Sequence, residues 1–489
     1  YYDPVITLEA TPDMQLHIDL GPRYHYGTYV LHSPFALAKR LTLPPGEPAV
    51  ALRLRDNEDA IVSALAELGY PLAKLENQSY VVDHDARTLS AEITVDPGPQ
   101  LAFGALDVRG NQRTRTTFIQ NRLPWKVGQV YSNAALAAYR SDLLASELFS
   151  AVKLVPATTP APDGTLPIQV EVVERQPRTI GASAAYNTDR GPGAEAFWQH
   201  RNLRGSGEKL DVKGQYYLDL QSLSAALRVP DLPDRRTVLL LSLKGENQAS
   251  DAYNSTGITA EAGFERSFTK RWKGSVGTRL FSGSVNNAFT TDVSLPVAFS
   301  FDSSNSTLDP TKGARASFSL TPHSALAGGQ AFYAVWESRL AGYQSLTAAH
   351  NVVLAGWMHV GGLLGAGVDD VPPTSRFYAG GGGSVRGYEF RSIGERDANG
   401  DPLGGTAILE GGAELRIRLS EKVGAVVFAE GGSVSDTTVP DFSRPQYAAG
   451  LGLRYLTDFA PLRADIAVPL NPRNNEAAFQ FYISIGQAF

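Results

Sequence analysis

The C-terminal two-thirds of the chain alternates between apolar and polar positions. In the last eleven residues Phe479, Phe481, Ile483, Ile485 and Phe489 share one side, and Gln480, Tyr482, Ser484, Gly486 and Ala488 the other. Gln487 is the single polar residue on the apolar side. A period of two is that of a strand with one apolar face. Leu462, Ala464, Ile466, Val468 and Leu470 repeat it against Arg463 and Asp465, and Ala413, Leu415, Ile417 and Leu419 against Glu414, Arg416 and Arg418. Sixteen such segments can be parsed: 178–188, 194–200, 207–217, 220–229, 237–247, 256–268, 271–283, 290–301, 313–322, 330–345, 349–366, 406–419, 423–434, 445–457, 461–470 and 478–489. A soluble sandwich shares the alternation, so number and length decide. An even set of strands of about ten residues, linked by turns, predicts an all-β transmembrane barrel of 16 antiparallel strands over residues 177–489. Residues 340–368 carry no Asp, Glu, Lys or Arg, but five glycines fall within Val352–Val368, which predicts a long strand and not a membrane helix.

The front third has a different rhythm. Gly21-Pro22-Arg23-Tyr24-His25-Tyr26-Gly27 recurs 77 residues later as Gly98-Pro99-Gln100-Leu101-Ala102-Phe103-Gly104, each time opening a strand. Ile61, Ala64, Leu65 and Leu68 then fall at helical spacing and stop at Gly69. The second copy answers with Ser132 as N-cap and with Leu136, Tyr139, Leu143, Leu144 and Leu148 along one face. Strand pairs 74–83 with 88–95, and 150–156 with 166–174, close the two units. The predicted order is strand, helix, helix, strand, strand, in α+β repeats over residues 21–96 and 97–176. Residues 1–20 resemble the closing strand pair of a third copy, so the first domain is expected to begin before residue 1.

Composition sharpens the division and removes some functions. Nine glycines lie in residues 1–177 and 38 in residues 178–489, which puts the boundary near residue 177. A net charge of -6 gives no basic face for nucleic acid. Cysteine is absent, which excludes disulfides, thiolate metal sites and thiol catalysis. No Ser has Gly at both minus two and plus two, none of the eight His precedes Glu, and no Gly-Lys pair makes a phosphate loop, so no enzyme is expected. Asp397, Asn399 and Asp401 lack the ligand spacing of a calcium loop and read as an Asn-Gly turn. No metal or cofactor is expected. Trp198, Trp272, Trp336 and Trp357 read as residues of an interfacial belt.

The most specific stretch is Ser375-Arg376-Phe377-Tyr378-Ala379, four glycines, then Ser384-Val385-Arg386-Gly387-Tyr388-Glu389-Phe390. Val385, Arg386, Gly387 and Tyr388 resemble the Val-Arg-Gly-Tyr/Phe signature of the outer-membrane assembly barrels, the superfamily of BamA, TamA and the two-partner secretion transporters. The resemblance implies that residues 367–405 form a long extracellular loop folded back into the lumen, its arginine docked on the inner wall. A guanidinium offers five donors in a rigid fork and pairs best with a carboxylate in a confined space. Phe428-Ala429-Glu430-Gly431-Gly432 is similar to the family's Phe-x-Asp-x-Gly wall motif with Glu430 in place of Asp. Glu430 and Glu414 are the candidate partners of Arg386, with Phe428 beside them on the luminal side.

The same resemblance marks the front repeats as POTRA domains and is nearest to TamA in Val371-Pro372-Pro373 through Ile393 and Ala398-Asn399-Gly400-Asp401. TamA has three POTRA domains, where this chain has two and a remnant. The alternating end, Phe479, Phe481, Ile483, Ile485 and Phe489, resembles the terminal signal read by the barrel assembly machinery. By resemblance, the chain is expected to be a protein of the Gram-negative outer membrane with its POTRA domains in the periplasm. It would assist folding, insertion or secretion of unfolded outer-membrane clients such as autotransporters, among outer-membrane lipids and with a TamB-like inner-membrane-anchored partner. The seam between the first and last barrel strands would open to offer an edge. The alternative from another class is a translocation pore of the two-partner secretion type.

Overall fold

The structure, a computed structural model, describes residues 5–9, 15–19, 22–37, 41, 43–187, 191–328, 332–457, 461–473, 476–485 and 487–489. It divides into two compact units, residues 1–175 and 176–489. In the first, β1 (Val5–Glu9) and β2 (Gln15–Asp19) pair antiparallel, and the rest of 1–20 lies outside the described residues.

Two α/β repeats come next. One has β3 (His25–His32), α1 (Ala51–Glu67), β4 (Lys74–Asp83) and β5 (Thr88–Asp96), in sheet order β3-β5-β4. The other has β6 (Ala102–Arg109), α2 (Thr116–Gln120), α3 (Asn133–Ala145), β7 (Phe149–Pro156) and β8 (Thr165–Glu174), in order β6-β8-β7. In both, the first strand runs parallel to the last, which a tight turn cannot achieve, so the helical segment crosses over. Both parallel pairs slip register at the same place, between Tyr26 and Tyr29 and between Phe103 and Leu106. The repeated glycine sits in that slip. A Cβ on Gly104 would lie 2.9 Å from the Leu166 carbonyl carbon, and one on Gly27 2.6 Å from Ser90 Oγ. Close approach to the central strand is the reason that the glycine recurs.

The helix expected ahead of α1 in the first repeat, at the counterpart of α2 near 39–43, lies largely outside the described residues. One expectation needs correction here. Leu68, expected on the buried face, is 47% exposed, because α1 stops at Glu67 and Gly69 turns away at a φ of +95°. Ala66 is buried instead, in the core built by Phe103, Trp125, Tyr139 and Leu143 of the second repeat. Glu67 accepts hydrogen bonds from the Ser132 hydroxyl and the Ala134 amide, each at 2.8 Å, at the N-terminus of α3. A carboxylate there meets unpaired N–H groups and the positive end of the helix dipole, which ties the repeats together.

Among the described residues the second unit is a closed ring of seventeen strand segments. They are β9–β12 (Arg178–Asn187, Gly191–Arg201, Lys209–Tyr217, Leu220–Pro230) and β13–β16 (Thr237–Ala249, Asn254–Ser267, Trp272–Val285, Ala288–Ser294). Then come β17–β20 (Val297–Asp302, Gly313–Ala327, Tyr333–Ser345, Val352–Leu364) and β21–β25 (Ala407–Arg418, Val423–Ser435, Gln446–Leu456, Pro461–Pro469, Gln480–Ile485). Both β16 and β17 pair with β15 and β18, so they fill one position, broken at Leu295-Pro296. A proline removes the amide that the ladder needs. Alternation sends Leu243, Ile258, Phe264, Val276 and Leu280 outward and exposed, and Glu195, Lys213, Glu261 and Arg279 inward, where they pair. The ring is unequal among the described residues: β13 and β14 share thirteen register pairs, whereas β25 and β9 share two, Tyr482 with Asn187 and Ile483 with Tyr186.

Glu174 closes the turn after β6, accepting from the Arg113 amide at 3.0 and 3.1 Å and the Thr114 amide at 2.7 Å. Partial burial alone would raise its pKa, but these amide bonds outweigh it and hold the carboxyl below its ordinary value. Their contribution is therefore complete above the ordinary carboxylate range and is lost as the pH falls through the lower folded value. Glu174→Gln is expected to loosen residues 110–120 by about 1 kcal/mol at neutral pH and by progressively less as the pH falls through the lowered folded value. Hydrogen exchange of that segment in the whole chain, across this range, measures the difference.

Candidate functional site

Between β20 and β21 the chain makes its longest excursion, and this loop lies against the inner wall of the ring. Phe377 and Gly405 exchange backbone hydrogen bonds at 2.9 Å, and the Ile393 amide donates to the Ala379 carbonyl at 3.0 Å, so two isolated bridges close the loop on itself. Phe377, Ala379, Val385, Tyr388 and Ile393 pack with Ile408, Val434 and Ala448 of the wall. Arg391 lies against the Tyr253, Phe390 and Tyr378 rings, 4.8, 4.9 and 5.5 Å from their centroids. Burial pushes the Tyr378 phenol up to about 12, which keeps its hydroxyl a donor, here to the Pro373 carbonyl at 3.2 Å.

At the far end of the loop Arg386 is 1% exposed and faces three carboxylates from three strands. Its Nε donates to Glu430 Oε1 at 3.0 Å, its Nη1 to Asp465 Oδ2 at 2.8 Å and its Nη2 to Glu414 Oε1 at 2.7 Å. Its backbone amide donates to Glu430 Oε2 at 2.8 Å, and the guanidinium lies 3.4 Å above the Phe428 ring centroid. The carboxylates are themselves balanced. Arg416 Nε donates to Glu414 Oε2 at 2.9 Å, Arg454 bonds Asp465, and Arg463 Nε lies 3.6 Å from Asp465. Buried charge persists only where partners replace the lost water, and here three carboxylates meet four guanidiniums.

The neighbours of Arg386 fix its height. Gly387 has a φ of +98°, and a Cβ there would lie 3.1 Å from both Ala448 Cβ and the Val468 carbonyl carbon. Val385 is fully buried against Gly432. The Tyr388 hydroxyl lies 3.0 Å from the Tyr447 carbonyl and from Asn471 Oδ1. Tyr482 of β25 accepts from the Gly387 amide and donates to the Tyr388 carbonyl, each at 3.3 Å. Tyr482 is also one of the two β25 residues paired with β9 among the described residues, so loop and seam share a residue.

The structure thus gathers Val385, Arg386, Gly387 and Tyr388 with Glu430, Phe428 and Glu414 at one site. Sequence alone leaves the choice between Glu430 and Glu414 open, whereas the guanidinium binds both. Asp465, Arg416, Arg454, Arg463 and Tyr482 join them without having been singled out by any motif. Their signal was present, since all five occupy the inward side of alternating strands.

The terminal residues divide. Phe479 and Ile483 are exposed on the outside, Phe481 is half-buried, and the side chain of Ile485 lies outside the described residues. Phe489 corrects the expectation that it continues the outer face. The strand ends at Ile485 and the chain turns into the lumen. There the Phe489 ring lies 4.9 Å from the Arg416 guanidinium and 6.1 Å from Trp357, and its carbonyl accepts from Arg416 at 3.3 Å. Gln487 explains the turn: its amide donates to Asp309 at 2.9 Å and accepts from Arg454 at 3.0 Å, partners that an outward apolar face cannot supply. Trp357 is corrected likewise. It shares the inward side with His359, beside Gly412 and Phe489, and belongs to no outer belt.

A family model described as the Omp85 superfamily domain matches residues 202–489. The outer membrane protein assembly factor BamA of Neisseria meningitidis serogroup B is 21% identical over 520 residues, covering 93% of this chain and 64% of that protein. The chain therefore spans less than two thirds of that relative's length. Among solved structures, BamA from Haemophilus ducreyi lacking POTRA domains 1–3 is similar with a TM-score of 0.80 at 19% identity, covering 94% of this chain and 99% of that one. CdiB from Acinetobacter baumannii has a TM-score of 0.55 at 15% identity, covering 96% and 90%. At these identities the likeness is one of fold.

Arg386→Ala would leave three buried carboxylates short of their shared cation. A loss of about 3–5 kcal/mol is expected, read as a lower unfolding temperature and as protease cleavage within residues 384–396. Arg386→Lys should recover little of it, because one ammonium cannot present a planar fork to three carboxylates.

Proposed function

The chain belongs to the Omp85 superfamily, and from that premise we propose that it is an outer-membrane protein assembly factor of the TamA type, assisting β-barrel proteins such as autotransporters to fold, insert or be secreted. The observation that carries this reading is the seam. With two register pairs between β25 and β9, residues Arg178–Ala185 have no β25 partner among the described residues. Unpaired strand edges are templates for an incoming strand, and a short seam costs little to open. Tyr482 joins that seam to the docked loop, so the Arg386 cluster braces the wall beside the opening.

Superfamily membership supports an outer-membrane place and a role in protein assembly or translocation. On the same reading the ring counts sixteen strand positions, with β16 and β17 taken together. The outward apolar band meets outer-membrane lipid, and the two α/β repeats are POTRA domains in the periplasm. Their outermost strands β4 and β7 would offer edges to unfolded clients and to a TamB-like inner-membrane-anchored partner. The work is non-covalent and calls for no catalytic group, metal or cofactor. A second reading, a translocation pore of the two-partner secretion type, is favoured by one feature: a cavity of about 720 Å³ inside the ring, lined by Arg315, Arg386, Glu430 and Phe489 among others.

The chain lacks cysteine, so a Tyr186→Cys, Ile483→Cys pair can be oxidised alone. Crosslinking should abolish the acceleration of autotransporter-barrel folding into liposomes, and reductant should restore it. Undiminished assistance from the crosslinked protein overturns the proposal. A large steady conductance without folding assistance favours the pore.

A further inference from the structure

The turn between β17 and β18, residues 303–312, reaches across to the end of the chain. It is braced from within. Asn305 Oδ1 accepts from the Thr311 and Lys312 amides at 3.0 and 3.1 Å, and Arg315 Nη2 donates to the Ser306 and Thr307 carbonyls at 2.6 and 2.9 Å. The Asp309 amide donates to Ser306 Oγ at 3.1 Å. So held, the Asp309 carboxylate accepts at both oxygens from partners distant in the chain. Gln487 Nε2 donates to Oδ1 at 2.9 Å from 178 residues away, and Arg418 Nη2 of β21 to Oδ2 at 3.1 Å from 109 residues away.

Valence fixes the Gln487 carboxamide in one orientation. An ionised carboxylate only accepts and a guanidinium only donates, so the amide nitrogen faces Asp309 and the amide oxygen faces Arg454, whose Nε lies 3.0 Å away. Both ends of the side chain are taken by charged partners inside the ring. Two residues on, the Phe489 ring stacks toward that of Tyr343, with centroids 6.3 Å apart. Register defines the other path open to these residues. Tyr482 faces Asn187 and Ile483 faces Tyr186, and the same ladder continued residue by residue would set Ser484–Phe489 against Ala185–Ile180. Gln487 would then stand on the outer side with Ile180 and Ile483, which are 80% and 45% exposed. Its neighbours on β9 would be Ile180, Ala182 and Ala184, none of which has a side chain that bonds hydrogen. A carboxamide withdrawn from water without a partner costs free energy.

We infer that Asp309 and Gln487 form a latch that keeps residues 487–489 in the lumen and off β9. Asp309 is a positioning residue, since it acts on the edge of β9 only by holding Gln487. Arg418 bonds the same carboxylate, so turn, wall and tail are tied at one point. The residue that the latch uses is also the one polar residue on the apolar side of the terminal alternation. An apolar residue in its place restores the alternation and removes the latch in one step. The inference rests on the assembly reading for one consequence alone, that the edge Ile180–Ala185 stays open to a client strand.

The test reads the edge itself. Hydrogen exchange of residues 180–185 is followed in the whole chain in detergent, for the unmodified protein, Asp309→Ala and Gln487→Leu. Amides of this segment that face β10 serve as the internal reference, and those on the β25 side report the tail. Release of the tail onto β9 should slow exchange on the β25 side by about tenfold in Asp309→Ala, the worth of one charge-assisted hydrogen bond. Gln487→Leu, which gives up both luminal bonds, should slow it further. A substitution that only loosened the barrel would speed exchange instead. Unchanged or faster exchange in either folded variant overturns the inference, and if one variant does not fold, the other decides. Folding assistance by the same variants is scored separately: slower exchange with undiminished assistance to an autotransporter barrel leaves the latch in place and overturns the open edge as the working part.

Discussion

A guanidinium withdrawn from water needs negative charge wherever it points, and Arg386 meets that need only where Glu414, Glu430 and Asp465 converge. Three strands must hold their register for the three oxygens to lie 2.7–3.0 Å from one fork. The reverse also holds, since three carboxylates side by side in a closed wall would repel without the cation. Loop and wall therefore specify each other. The outer ring of Arg416, Arg454 and Arg463 extends the network across β21, β23 and β24, the strands that approach the seam. Stiffness is concentrated beside the place where the ring is weakest.

That weakness has a local setting. Beyond β25, Gln487 and Phe489 find their partners in the lumen and not along β9. The closing ladder shows two register pairs among the described residues. Tyr482 stands at the junction, bonded to the loop on its inner side and opposite Asn187 along the backbone.

The strands of the barrel, the two α/β repeats and the central role of Arg386 can all be read from the chain, for a common reason. Each depends on patterns of short period or on a compact motif: alternation along Ala413–Leu419, the doubled Gly-Pro turn, four glycines ahead of Val385-Arg386-Gly387-Tyr388. Such signals survive in one dimension because neighbours along the chain share one environment. Even the inward turn at the C-terminus leaves a mark, since Gln487 interrupts the apolar side where the strand ends. Leu68 is misread for the opposite reason. Helical spacing alone gives a residue one turn past Leu65 the same face, whereas in the structure α1 ends at Glu67 and Ala66, not Leu68, enters the core of the second repeat.

By itself, the sequence determined which face of each strand is apolar, where the repeats begin, and that an arginine flanked by glycines must find a carboxylate. Tertiary structure decided which carboxylates, because Glu414, Glu430 and Asp465 lie 28, 44 and 79 residues from Arg386 and meet only when the ring closes. It also decided that His359 lies between Glu337 and Glu410, a contact set by the register of three strands. Periodicity specifies which way a side chain points, whereas the partner it meets there depends on how far each strand has slid against the next.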